Sequence, residues 1–244
     1  MSRKIAAIQL TLLAAISPFS DSIAEDDEFA GGLVSANAYR GYVQELRNSW
    51  FDEDYDIQQA AFALGYSAGV HDYAASLAQV CSPDDVLLKE VVIEAYDRIN
   101  DERGGRSAGG VWNGNRYSRT AGLIAAAPIE SRLSWAFPCD DDAESGRNFV
   151  SLEDYESSLS HFDSFVRGSE YDEHEAAFTL AYAVGVYDLA TSQETICAPP
   201  TLLMLNIPVL GIESADSDDT RADSENAADT LGRALLEAFP CGDG

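Results

Sequence analysis

Two stretches of the 244-residue chain carry residue types and spacings that could do chemistry. Gly65-Tyr66-Ser67-Ala68-Gly69 has the G-x-S-x-G form of a hydrolase nucleophile elbow, where a sharp strand-to-helix turn presents the serine hydroxyl. Its flanks read as one continuous helix, and a second copy of the segment places Ala183 where the serine stands. Helix packing therefore accounts for the shared residues, and catalysis only for the unshared one. The acid-rich stretch 214–225, with Asp216, Asp218, Asp219 and Asp223, invites a calcium reading. A calcium loop begun at Asp216 puts Arg221 where glycine is required and Ala227 where the bidentate glutamate belongs, so a solvated loop is expected. The histidines, His71, His161 and His174, are not repeated between copies, and the cysteines are too widely spaced for a zinc set. The expectation is no catalytic residue, no cofactor and no metal.

The elements that would position any site come from a duplication. Shifted by 116 residues, the segment from Tyr55 to Pro83 falls on Tyr171 to Pro199 with 14 of 29 positions identical and no gap. Each copy closes on the same four residues, Ala136-Phe137-Pro138-Cys139 and Ala238-Phe239-Pro240-Cys241. The extra length of copy one falls in a Gly/Arg/Asn-rich stretch, 101–122, with a surface-loop composition. A period this long indicates duplicated domains rather than a solenoid. The predicted organisation is a leader over 1–24, a first domain over 25–139, a linker over 140–150 and a second domain over 151–244.

Within each copy the periodicity is helical. Tyr39, Val43, Leu46 and Trp50 share one face, as do Tyr155, Leu159, Phe162 and Val166. Gly65 and Gly69 lie four apart in an Ala-rich helix, and glycines there point to close approach of another backbone. Ser82-Pro83-Asp84-Asp85 predicts a helix start, with Leu87, Val91, Val92, Ala95 and Ile99 as its buried stripe. Each copy's last helix ends at its proline. The one Asn-Gly pair, Asn113-Gly114, lacks hairpin flanks, and a strand near residues 207–212 is broken by Pro208. The predicted class is all-α.

Four cysteines allow three pairings, and the duplication selects Cys81–Cys139 and Cys197–Cys241, each closing a copy on itself. By chain entropy each bridge stabilises by roughly 4 kcal/mol. Both copies keep an acid, Asp72 and Asp188, at the same helical position. A structural hydrogen bond is one reading of this pair, and a charge turned toward a partner is the other.

Arg3 and Lys4, an apolar run to Phe19, and Ser22-Ile23-Ala24 before Glu25 form a secretory signal cut after Ala24. The mature chain is expected in the periplasm or outside the cell. With 42 acidic against 15 basic residues, the net charge of −27 argues against nucleic acid and anionic membranes as partners.

Gly65-Tyr66, Gly69-Val70 and Asp72, then Cys81-Ser82-Pro83 and the closing Ala136 to Cys139, together resemble the Rap/Tai immunity proteins. Copy two repeats the pattern with Tyr182, Gly185-Val186, Asp188, Cys197-Ala198-Pro199 and Ala238 to Cys241. The resemblance implies a small periplasmic helical fold that neutralises a type VI secreted peptidoglycan amidase by occluding its active site. It also implies a dimer, whose protomers the two copies would replace as an intramolecular pseudo-dimer. The chain departs from the family in having Ala63 and Thr179 near where a further cysteine would fall. The alternative expectation is a non-enzymatic envelope or stress protein with no toxin partner.

Overall fold

The computed structural model describes residues 34–51, 54–104, 124–140, 146–197, 199, 202, 204–210 and 226–241. The expected leader over 1–24, residues 105–122 with Asn113-Gly114, and the acidic stretch 214–225 lie outside them. Every regular element among the described residues is helical, and none is long and apolar enough to cross a membrane. Copy one contributes α1 (Ala36–Trp50), α2 (Ile57–Ser76), α3 (Leu88–Gly104) and α4 (Ala126–Ala136). Copy two contributes α5 (Leu152–Val166), α6 (Glu173–Ser192), a 3-10 turn (Met204–Asn206) and α7 (Ala227–Ala238).

The helix starts follow from short polar side chains that accept otherwise unpaired N–H groups. Ser35 caps α1 through the Ala38 amide, and Ser151 caps α5 through that of Asp154. Asp56 and Asp172 cap α2 and α6, each accepting two amides. Both central helices end alike: Ala78 and Glu194 take left-handed backbone angles (φ 53° and 57°), and the next amide returns to a carbonyl five residues back. This Schellman turn satisfies the last carbonyls and aims each chain at its cysteine. One predicted start shifts. α3 begins at Leu88 rather than at Ser82-Pro83, because the Ser82 hydroxyl bonds His71 instead of capping; Glu90 accepts from the Leu87 amide and opens the helix there. Leu87 is accordingly exposed, while Val91, Val92 and Ala95 are buried as expected. Trp50 is also exposed, against the face assigned to it, and residues 207–210 are helical.

Both predicted bridges are present, Cys81–Cys139 and Cys197–Cys241. Beside each, the first cysteine's amide donates to the carbonyl of the phenylalanine in the closing motif, Phe137 or Phe239, at 2.9 Å.

The copies do not build separate cores. Buried apolar residues from α1 through α7 form one continuous cluster, and α4 and α7 each rest on both central helices. At the centre α2 and α6 run side by side in the same direction. Gln58 meets Glu173 where they begin, and Gln79 meets Gln193 beyond where they end. Glycine permits this approach. A Cβ at Gly69 would lie 2.1 Å from the Tyr182 carbonyl oxygen, and one at Gly185 would lie 2.5 Å from that of Tyr66. These two contacts exchange when the copies exchange, so the pair is two-fold in character. Small residues four apart let helices touch backbone to backbone. Of the expected linker, the described part is docked: Gly146 packs on Val80 and Cys81, and Arg147 donates to the carbonyls of Asp84 and Val86.

Gly69→Ala forces apart two backbones that have no side chain to yield, and should cost about 1–3 kcal/mol or more in urea unfolding. Gly41→Ala, with nothing within 4 Å of its new methyl, should instead stabilise α1 by about 0.5–1 kcal/mol.

Candidate functional site

The repeated acids lie at the centre of the molecule, where each one reaches into the other copy. The Asp188 carboxylate accepts from the Tyr66 hydroxyl at 2.8 Å and from the Val34 amide at 3.0 Å. The Asp72 carboxylate accepts from the Tyr182 hydroxyl at 3.1 Å, the Val150 amide at 3.0 Å and the Phe149 amide at 3.0 Å. Val34 and Val150 are equivalent positions one residue before the caps of α1 and α5. Each aspartate thus anchors the other copy's tyrosine and the entry to its first helix. Both side chains are fully buried, so neither offers a charge to a partner; the partner-facing reading of Asp72 and Asp188 gives way to the structural one. A buried carboxylate is tolerable because several donors surround it.

The same geometry moves the tyrosines. Burial pushes the Tyr66 and Tyr182 phenols well above their ordinary value, and the adjacent carboxylates, Asp188 and Asp72, add to it by opposing a second negative charge. Burial also raises Tyr39 and Tyr155, whose rings lie 5.6 Å from those of Tyr66 and Tyr182 respectively.

Ser67, the elbow serine, sits inside α2 and is buried. Its hydroxyl donates to the Ala63 carbonyl and shares a 2.7 Å bond with the Tyr39 hydroxyl. In copy two Ala183 replaces it, and Tyr155 donates instead to the Pro208 carbonyl at 3.1 Å. The serine satisfies a buried phenol, without the exposed turn that nucleophilic attack needs. The positions near the family's further cysteine, Ala63 and Thr179, are also buried, and Thr179 bonds the Glu175 carbonyl within its own helix.

A second constellation escaped the sequence reading. His71 Nδ1 lies 2.9 Å from Asp72 and Nε2 2.9 Å from the Ser82 hydroxyl, a Ser-His-Asp chain by distance. All three residues are buried, with Phe149 edge-on to the imidazole. Two surface hollows, one between α5 and α6 and one beside Phe162 and Tyr171, do not include Ser82 in their lining. Ser82 is buried, and its hydroxyl is taken up by His71. The chain instead ties the segment after α2 to the entry of copy two. Its signal was available: His71 and Ser82 are replaced together, by Tyr187 and Ala198.

The larger hollow, about 610 Å³ between α5 and α6, is lined by Tyr155, His161, Asp172, Glu175 and Phe178 among others. Its polar groups are engaged: Asp172 caps α6, His161 accepts from the Asp172 amide, and Glu175 accepts from Ser158. Backbone donation from Glu175, then from His174, holds the Asp172 carboxyl below its ordinary range. No three His, Cys, Asp or Glu side chains converge as metal ligands among the described residues. Comparison with protein-family models, curated proteins and solved structures gives no match for this chain.

Asp72→Ala strands a buried amide (Val150), a part-buried amide (Phe149) and a buried phenol (Tyr182), and should cost about 3–5 kcal/mol in chemical denaturation. Glu94→Ala, which breaks only the part-exposed pair with Arg132, should stay within about 1 kcal/mol. The buried phenols ionise later folded than unfolded, so their contribution to stability is intact below pH 10, the unfolded value. It is lost as pH rises toward their folded values. In an alkaline titration the phenolate absorbance of Tyr39, Tyr66, Tyr155 and Tyr182 should appear only together with loss of helical circular dichroism.

Proposed function

We propose that this chain is an immunity-type binding protein of the periplasm, not an enzyme, that neutralises a type VI secreted peptidoglycan amidase by occluding its active site. The observation that carries the reading is the crosswise pairing of the copies. Two Rap/Tai-like units are joined in one polypeptide by reciprocal buried contacts, as two protomers of a dimer would be. Other features are in keeping with it. The two disulfides suit an oxidising compartment, in keeping with the export signal expected from the sequence. The repeated residues that could do chemistry are occupied in holding the fold. What remains for function is the outer surface, and that surface belongs to a chain of net charge −27. Such a field accelerates encounter with a basic effector by about 10- to 1,000-fold and weakens steeply with salt.

An exported amidase encoded beside this gene, directed to the periplasm of a host cell, should arrest growth. Co-expression of this chain should restore growth, and the purified pair should elute as one complex in which amidase activity is lost. Continued lysis, with the two proteins eluting separately, would overturn the reading.

A further inference from the structure

The two copies share a core pattern but differ in places at the surface, and one such place is the turn between the first two helices of each copy. In copy one the α1–α2 connection exposes Trp50, Phe51, Tyr55 and Ile57, with Phe51 at 69%. The equivalent positions in copy two are Val166, Arg167, Tyr171 and Glu173. Two of these differences put an exposed apolar side chain in copy one where copy two has a charge at a helix end. The residue that ends α5 is Arg167, a cation at a helix C-terminus, paired with Asp163 one turn back at 2.8 Å. Its counterpart after α1 is the exposed Phe51, and the cation of that helix end is Arg47 in the last turn. The first residue of α6 is Glu173, an acid at a helix N-terminus, followed by Glu175. Its counterpart in α2 is the exposed Ile57, and the first turn of α2 holds no acid. Copy one forgoes the acid in the first turn of α2 and shows water four large apolar side chains within eight residues. Departures from local rules without a gain in the fold mark surfaces kept for another purpose.

Resting on the binding reading above, we propose that the α1–α2 turn of copy one is the surface that meets the partner, and that the partner is a basic protein with an apolar pocket. Trp50, Phe51, Tyr55 and Ile57 supply anchors of the kind that dominate interfaces. Around them stand acids: Asp54 and Asp56 in the turn, Glu45 bonded to the Asp56 amide, and Glu173 bonded to Gln58. An apolar centre with an acidic rim complements a hydrophobic hollow ringed by lysine and arginine. A second copy of this chain would bring acid against acid, and its net charge of −27 opposes that pairing.

The test uses the full exported chain carrying a benzophenone photocrosslinker at position 51, with position 135 as control in the cells that make it. Irradiation from position 51 should capture one basic exported protein, identified by mass spectrometry and then purified. The double variant F51R/I57E installs the residues that copy two already accommodates at these places, so the fold should be kept, as circular dichroism would verify. It should weaken binding of the captured protein at least about tenfold. W135E, which likewise takes the copy-two residue Glu237 at the far end of the bundle, should leave binding unchanged. Capture of a second copy, of an acidic protein or of nothing overturns the proposal, as does full-strength binding by F51R/I57E. If the captured protein binds through this turn but has no amidase activity, the turn stands and the immunity reading falls. If an amidase is inhibited equally by F51R/I57E, the immunity reading stands and the turn falls.

Discussion

Each half of this molecule buries a carboxylate that accepts hydrogen bonds from the other half. Asp72 receives the Tyr182 phenol and the amides leading into α5, while Asp188 receives the Tyr66 phenol and the Val34 amide leading into α1. An isolated buried charge would cost several kcal/mol, and the opposite copy supplies a phenol and backbone amides that offset it, with His71 of its own copy beside Asp72 as well. This mutual dependence fixes the parallel approach of α2 and α6 and places α1 and α5 across their outer faces. It also explains why the glycines recur: the carboxylates reach across only if the two backbones touch.

Around this centre the copies differ in ways that leave the fold intact. Copy one strings His71 and Ser82 onto its aspartate, and copy two has Tyr187 and Ala198 there. Copy one satisfies the Tyr39 hydroxyl with Ser67; copy two satisfies that of Tyr155 with a backbone carbonyl. Such substitutions trade one internal partner for another and keep each buried polar group bonded. The surface follows no such constraint, and there the differences alter what the molecule presents to others.

Much of the architecture was legible in the residues. The recurrence of cysteine before and after equivalent helices gave both bridges, the 3.6-residue periodicity gave the class, and glycines four apart gave a close helix contact. What could not be read was which backbone the glycines meet, and therefore that two units would share one core. A one-dimensional pattern reports that a face is apolar, not whether its complement lies in the same copy or the next. The aspartates were noticed for their repetition, yet their role depended on donors more than a hundred residues away. The misplaced start of α3 had a local cause. Ser82 has the right chemistry for a cap, but His71 offered its hydroxyl a buried partner, which no local rule weighs.

The crossed aspartates also bear on inheritance. A recombination event that excised one copy would not leave a smaller working version of the other. The survivor would carry an acid and a phenol cut off from their mates across the centre, and a helix entry that has lost its carboxylate. It could fold only by finding a twin in solution, at whatever concentration the cell supplied. Once the crossing existed, shortening the gene ceased to be a neutral step, and the two copies became bound to a common fate while their outer faces stayed free to diverge.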